Sequence, residues 1–189
     1  MASSDGALYG VAGQTAFSLK PSELPGVPWT YGVLCTNFLA LGTIAVGPAG
    51  ALYGAGGGGA FDVGAVLSIA LPTSPGGACT DTILYSFAPV RSGYNPRGGV
   101  VMGARGALYG VTVGSETGGR EPCGSVYTLE PPSLAGGAWT YKPVSVFSCN
   151  GGAGGVRPMG TLAISNGVLY GTTGAGGAYG DGTVFSLTP

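Results

Sequence analysis

The sequence contains no histidine, and charge is scarce, with seven Lys and Arg against eight Asp and Glu in 189 residues. Without histidine the chain cannot build a Ser-His-Asp or Cys-His catalytic unit, and most transition-metal sites lose their usual ligand. The small, balanced charge offers no basic surface to nucleic acid or to an anionic membrane. We therefore expect no cofactor, no bound metal and no nucleic-acid partner.

Long apolar runs are also missing, because no stretch approaches the roughly eighteen consecutive apolar residues that span a bilayer. We therefore expect no membrane insertion. Helical periodicity and helix caps are likewise missing, whereas the hydrophobic share of 44% excludes a disordered chain despite the 40 glycines. The first residues lack the basic and apolar regions of a secretory signal, so we expect flanking signals or further repeats to lie outside this sequence.

What the sequence does contain is a repeat. The triplet Leu-Tyr-Gly occurs four times, and its copies begin at Leu8, Leu52, Leu108 and Leu169. Each copy follows Gly-Ala or Gly-Val and precedes a glycine-rich stretch. Self-similarity at a spacing of several tens of residues means that each copy is one structural unit that buries its apolar face against its neighbours.

Each repeat is assembled from short strand patterns, which we call a, b, c and d in chain order. Pattern a is an apolar run that turns into b, the Leu-Tyr-Gly strand, so that a and b form a tight hairpin. Pattern c alternates with period two and usually ends at a proline, and d begins near an aromatic residue. The chain reads b-c-d, a-b-c-d, a-b-c-d, a-b-c. This order predicts fourteen strands.

These patterns predict an all-β, four-repeat β-propeller-like domain of short antiparallel strands. We expect a single repeat domain over residues 1–189, with repeats at approximately 6–40, 41–87, 96–147 and 157–189. The domain is expected either to close into a ring or to stay open and complete itself by pairing its terminal strands. Because an opening a and a closing d are missing, we expect homo-oligomerisation through the exposed terminal strands if the ring does not close.

The four cysteines allow three pairings, and none has the spacing of a zinc site. Cys123 with Cys149 is the best candidate disulfide, because both flank strands of the same repeat. Cys35 lies inside an apolar strand pattern, where a buried free thiol is the commoner explanation. Cys79 stands at the position that Trp29 and Trp139 occupy in the neighbouring repeats.

The repeat unit resembles the GloVer tandem repeat, a family of bacterial extracellular proteins. The resemblance is best over Gly167 to Gly177 and Gly182 to Pro189, and it is good at Ile83 to Phe87. It is weakest in the first repeat, where Gln14-Thr15-Ala16 replaces the expected glycines and Gly-Thr-Val. The resemblance implies a β-propeller-like protein that is extracellular or on the cell surface, commonly with a separate anchor. It supplies no catalytic residues.

The remaining chemistry is that of carboxylates, of which a glycosidase needs two across a sugar bond. Asp62 and Asp181 lie in the loop between b and c of their repeats, and Glu116 and Glu121 lie in the third copy of that loop. A ring of acids there would suit a sugar-cleaving or cation-binding site. The alternative, which we favour, is that an Asp beside Gly makes a turn through its own side chain.

Aromatic and basic residues are the candidates for ligand binding. The repeated tyrosines could stack on sugars, but a position filled in every copy more often packs between strands, and we favour packing. The non-repeated arginines are better candidates for a unique site that holds a carboxylate or sulfate. The aromatic candidates are Tyr9, Tyr53, Tyr109, Tyr170, Trp29 and Trp139, and the basic ones are Arg91 and Arg97, with Arg105, Arg120 and Arg157 nearby in sequence.

These observations favour a non-catalytic extracellular or cell-surface module that binds carbohydrate or another extracellular partner. A glycoside hydrolase with two carboxylates on the loop face is the competing hypothesis. A structural spacer in a surface array is the third. Propellers host all three, so the fold does not choose among them.

Overall fold

A computed structural model of the chain describes residues 6–36, 42–72, 78–88, 93–114, 123–134, 136–149 and 154–189. These ranges contain fourteen strands and two single 3₁₀ turns, so none of the described helical segments is long enough to cross a membrane. The strands are β1 (Leu8–Ala12), β2 (Thr15–Lys20), β3 (Thr30–Thr36), β4 (Ala45–Val46), β5 (Leu52–Gly56), β6 (Ala65–Ala70), β7 (Thr80–Ser86), β8 (Pro96–Met102), β9 (Leu108–Thr112), β10 (Ser125–Glu130), β11 (Thr140–Val146), β12 (Val156–Ser165), β13 (Val168–Ala175) and β14 (Val184–Leu187).

The strands form four antiparallel sheets in which neighbours in sequence are neighbours in space. The first sheet is β1-β2-β3, the second β4-β5-β6-β7, the third β8-β9-β10-β11 and the fourth β12-β13-β14. The predicted order a-b-c-d is confirmed, including the missing a of the first sheet and the missing d of the last. The fold is all-β and propeller-like, and no described strand of the first sheet pairs with one of the fourth.

The register between strands b and c is the same in all four sheets. The repeated tyrosine lies opposite Ser18, Ser68, Thr128 or Ser186, according to the sheet. Where d is present, a bulge interrupts its pairing with c at the same position of each repeat. Residues of strands b and c therefore have identifiable equivalents in all four sheets.

Three apolar clusters hold consecutive sheets together. The first joins the first and second sheets around Ala16 and Leu67. The second joins the second and third around Val66 and Tyr127, and the third joins the third and fourth around Val126 and Leu169. Because side chains alternate along a strand, each sheet inside the series presents one apolar face to the sheet before it and another to the sheet after it.

Residues just before β4 and residues within β8 and β12 lie close together. The Thr161 hydroxyl lies 2.8 Å from the Thr43 hydroxyl and also donates to the carbonyl of Gly98. A side chain at Gly42 would collide with the backbone of Gly98 and Gly99, so only glycine allows this approach. Backbone therefore meets backbone at this point.

Both disulfides among the described cysteines tie strands of this framework. Cys123–Cys149 closes the third repeat on itself, as predicted. The prediction of a free thiol at Cys35 is wrong, because Cys35 bonds to Cys79 across the boundary between the first and second sheets. Burial of Cys35 in the apolar cluster is correct, but the cluster also brings Cys79 to it.

Candidate functional site

The two candidate acids within the described ranges lie in exposed loops of sheets that are not consecutive. Asp62 has a left-handed backbone, with φ of 55°, and its N–H donates to the Gly59 carbonyl over 3.2 Å. Asp181 forms an isolated bridge with Gly176 in the fourth sheet. The third sheet stands between the two sheets that carry them. Glu116 and Glu121 lie outside the described residues.

The hydrogen bonds of the two loops show that Asp62 and Asp181 are not equivalent positions. The Gly64 N–H donates to the Gly58 carbonyl over 2.9 Å, and the Gly182 N–H donates to the Gly176 carbonyl over the same distance. The glycines that close one turn therefore correspond to the glycines that close the other. Asp62 then corresponds to Gly180, which makes the same turn bond as Asp62 does. The described part of the chain has no group of three or more acidic or cysteine side chains placed to hold a metal ion.

Three of the four repeated tyrosines pack between sheets. Tyr9, Tyr53 and Tyr109 lie half-buried against the first, second and third apolar clusters. Tyr53 also has the ring of Trp139 at 6.2 Å. Tyr170 and Trp29, by contrast, are exposed.

The candidate arginines are separated from one another. The Arg97 Nε–H donates to the Asn95 side-chain oxygen over 3.2 Å, which fixes it locally. Arg157, the second residue of β12, has a φ of 57°, and its N–H donates to the Cys123 carbonyl over 3.0 Å. Arg91 and Arg120 lie outside the described residues. Arg105 is the candidate that borders a cleft.

The Arg105 cleft lies where the hairpin turn of the third sheet meets the end of β10. It has a volume of about 620 Å³ and is lined by Ala104, Arg105, Ala107, Tyr109, Glu130 and Pro131. The turn is closed by the Gly103 N–H, which donates to the Ala107 carbonyl over 2.8 Å. The cleft thus combines a guanidinium, an aromatic ring and a carboxylate.

Glu130 is held in place by an ion pair on the edge of this cleft. The Lys142 Nζ donates to both Glu130 carboxylate oxygens, over 2.8 and 2.7 Å. Both side chains are about half exposed, at 55% and 47%, so the pair contributes little to stability and mainly orients the carboxylate. The Glu130 side chain is thus partly open to solvent beside the cleft.

Arg105 and Glu130 are both departures from the repeat. The register places Ala49 and Asn166 at the position of Arg105, and Lys20, Ala70 and Thr188 at the position of Glu130. Sequence reasoning named Arg105 but missed Glu130, because the two are far apart in the chain. The sequence did carry a signal, because each of the two replaces uncharged or oppositely charged residues at the equivalent positions of the other repeats.

Two smaller clefts lie elsewhere on the described surface. One of about 490 Å³ lies between β1 and the start of the second sheet and is lined by Tyr9, Val11, Thr43, Ile44 and glycines. Another of about 280 Å³ lies beside Phe147 and Phe185. Neither has a charged side chain in its lining, so neither combines an aromatic ring with an ionic group.

The aromatic cluster between the second and third sheets contains a buried hydroxyl with no hydrogen-bond partner among the described residues. This is the Tyr127 Oη, whose ring meets Phe87 at 5.1 Å and Tyr141 at 5.9 Å. Burial, and then the neighbouring Tyr141, raise the pKa of Tyr127 far above its ordinary value. Burial also raises the pKa of Tyr141.

Comparison with known proteins identifies a family and a distant structural likeness. The sequence profile of the Gloeobacter/Verrucomicrobia repeat matches residues 1–189. No curated protein matches the chain significantly. Among solved structures, the chain is similar to an inulosucrase from Halalkalicoccus jeotgali bound to kestose, with a TM-score of 0.48 and 17% identity. The likeness covers 96% of this chain and 61% of the inulosucrase chain.

Proposed function

The chain belongs to the Gloeobacter/Verrucomicrobia repeat family, and from this premise we propose that it is a non-catalytic, extracellular or cell-surface module that binds carbohydrate in the Arg105 cleft. The observation that carries the proposal is the combination of Arg105, Tyr109 and Glu130 at one cleft of about 620 Å³. Sugar rings stack on aromatic faces, and their hydroxyls bond to planar charged groups.

The chemistry of the cleft suits an oligosaccharide better than a compact anion. Arg105 offers several N–H donors, whereas Glu130 offers acceptors that would repel a phosphate or sulfate. Hydroxyl groups both donate and accept, so they satisfy the two side chains together. Tyr109 supplies the apolar contact beside them.

Recognition without turnover agrees with the placement of the acids. The sequence has no histidine, and Asp62 and Asp181 stand in exposed loops of non-consecutive sheets. The extracellular part of the proposal is supported by the two disulfides, which persist in oxidising compartments.

The test is a glycan array followed by titration calorimetry with the oligosaccharides retained on it. Arg105→Asn removes the guanidinium but keeps a residue that tolerates the turn, since Asn166 holds the equivalent position with a φ of 50°. Losing a charged hydrogen bond should weaken binding by roughly 10- to 100-fold. Asn166→Ala, in the same turn of the fourth sheet, is the matched control and should bind as the wild type does.

The competing functions give different results in the same assays. If the protein turns over chromogenic glycosides and the Asp62→Asn, Asp181→Asn double variant does not, the protein is a glycoside hydrolase and the proposal of a non-catalytic module is wrong. No retained glycan at all would favour a structural spacer. Binding that survives Arg105→Asn unchanged would refute the proposed cleft.

A further inference from the structure

Each sheet has a preceding face and a following face, which are the surfaces turned toward the sheet before it and the sheet after it. On strand c the following face carries Ala16, Val66 and Val126 in the first three sheets, and each is 0% exposed. Their equivalent in the fourth sheet is Val184, which is 80% exposed. The same apolar position is therefore covered three times and open once.

Strand b repeats this asymmetry on both faces. Tyr170 is 43% exposed on the following face of the fourth sheet, although its equivalents pack into the clusters. On the preceding face, Leu8 of the first sheet is 39% exposed, whereas its three equivalents are fully buried. Those equivalents are Leu52, Leu108 and Leu169.

The preceding face of the first sheet also carries two exposed aromatic residues, Trp29 and Tyr31. Their equivalents in the third sheet are Trp139 and Tyr141, which pack against the second sheet. Trp139 does so on Tyr53, the repeat equivalent of Tyr170. Trp29 and Tyr170 are thus the repeat equivalents of two residues that pack on each other inside the chain, Trp139 and Tyr53, but both are exposed.

We propose that the chain associates head to tail with a second copy of itself, with the following face of the fourth sheet packed on the preceding face of the first sheet of the partner. In this contact Trp29 packs on Tyr170 as Trp139 packs on Tyr53, and Val184 is buried. The three internal boundaries all join a following face to a preceding face, and the two open faces form the fourth such pair.

The predicted interface is heterologous, because the two copies contribute different surfaces. Such contacts close into a ring if the rotation between copies allows it, and otherwise they build an open chain. The net charge of −1 places little repulsion in the way of association. This contact joins sheet faces, and thus differs from pairing of the terminal strand edges.

The experiment measures mass in solution against concentration, by sedimentation and light scattering, for the wild type and two variants. Val184→Arg blocks the following face, and Trp29→Arg blocks the preceding face. The wild type should associate as concentration rises, whereas each variant should stay monomeric at concentrations about tenfold above that at which the wild type associates. Both substitutions fall on exposed side chains, and circular dichroism checks the fold of each variant.

Mixing the two variants tests the head-to-tail polarity. Each retains the face that the other has lost, so the mixture should form one-to-one dimers that grow no further. Leu134→Arg is the matched control, since Leu134 is as exposed as Val184 but lies on neither face, and it should associate as the wild type does. A monomeric wild type, a mixture that stays monomeric, or an equal effect of Leu134→Arg would each overturn the proposal.

Discussion

The disulfide between Cys35 and Cys79 occupies the boundary of the first and second sheets at the repeat positions that Tyr85 and Trp139 hold at the next boundary. At that next boundary, both aromatic residues pack into the apolar cluster. A covalent bond thus holds the first and second sheets together at the positions where aromatic packing holds the second and third sheets together.

Removing this disulfide should loosen the first sheet. The Cys35→Ala, Cys79→Ala variant loses a cross-link across 44 residues, a loss of about 4 kcal/mol in the loop-entropy estimate. Hydrogen exchange should show β1 to β3 opening before the other sheets. The Cys123→Ala, Cys149→Ala variant is the control, because its bond lies within the third repeat. Equal protection of the first sheet in both variants would contradict the prediction.

Tyr127→Phe should stabilise the protein. The change removes a buried hydroxyl that has no hydrogen-bond partner among the described residues, and its repeat equivalents include Phe17 and Phe185. The gain in the free energy of unfolding should be about 1 kcal/mol, measured by urea denaturation. Tyr141→Phe is the control and should give no gain, because Ser125 hydrogen-bonds to its side chain. A less stable Tyr127→Phe variant would show that the hydroxyl is satisfied.

Stability should fall in alkaline solution. The pKa of Tyr127 is raised by burial in the folded state, so the folded protein holds this proton more tightly than the unfolded chain does. The contribution of the protonated Tyr127 side chain to the free energy of unfolding is fully present below the unfolded pKa of about 10. It is lost as the pH rises above that value, at about 1.4 kcal/mol per pH unit. Urea denaturation from pH 8 to 11.5 should show a shallower decline for Tyr127→Phe. Equal slopes would contradict the prediction.

Gly64→Ala should be strongly destabilising. Gly64 has a φ of +120°, and an added Cβ would collide with the ring of Pro96, the first residue of the third sheet. We expect a loss of about 2 to 4 kcal/mol in thermal or urea unfolding. Gly13→Ala is the matched control, since it also has positive φ, at +58°, but nothing lies within 4 Å of its Cβ. It should lose only about 1 kcal/mol, and equal losses would argue against a role for the contact with Pro96.

The strands, their order and one disulfide could be predicted from the sequence alone. These features depend on local chemistry: Leu-Tyr-Gly marks each b strand, period-two alternation marks each c strand, and glycine-rich turns force neighbours in sequence to pair. Cys123 and Cys149 were predictable because they flank the strands of a single repeat. The repeated tyrosines identified the packing positions but did not show which faces would be covered.

The contacts between positions far apart in the chain could be seen only in the folded structure. Cys35 bonds to Cys79 because the first and second sheets stack on each other. Arg105 and Glu130 line one cleft because strand pairing within the third sheet brings them to the same place. The structure also showed that Asp62 and Asp181, which the sequence placed in the corresponding loops of their repeats, occupy different positions of the turn. The exposure of Val184 and Trp29 could not be predicted for a similar reason. Burial of a repeat position depends on whether another sheet lies opposite it, and the repeat pattern is the same in either case.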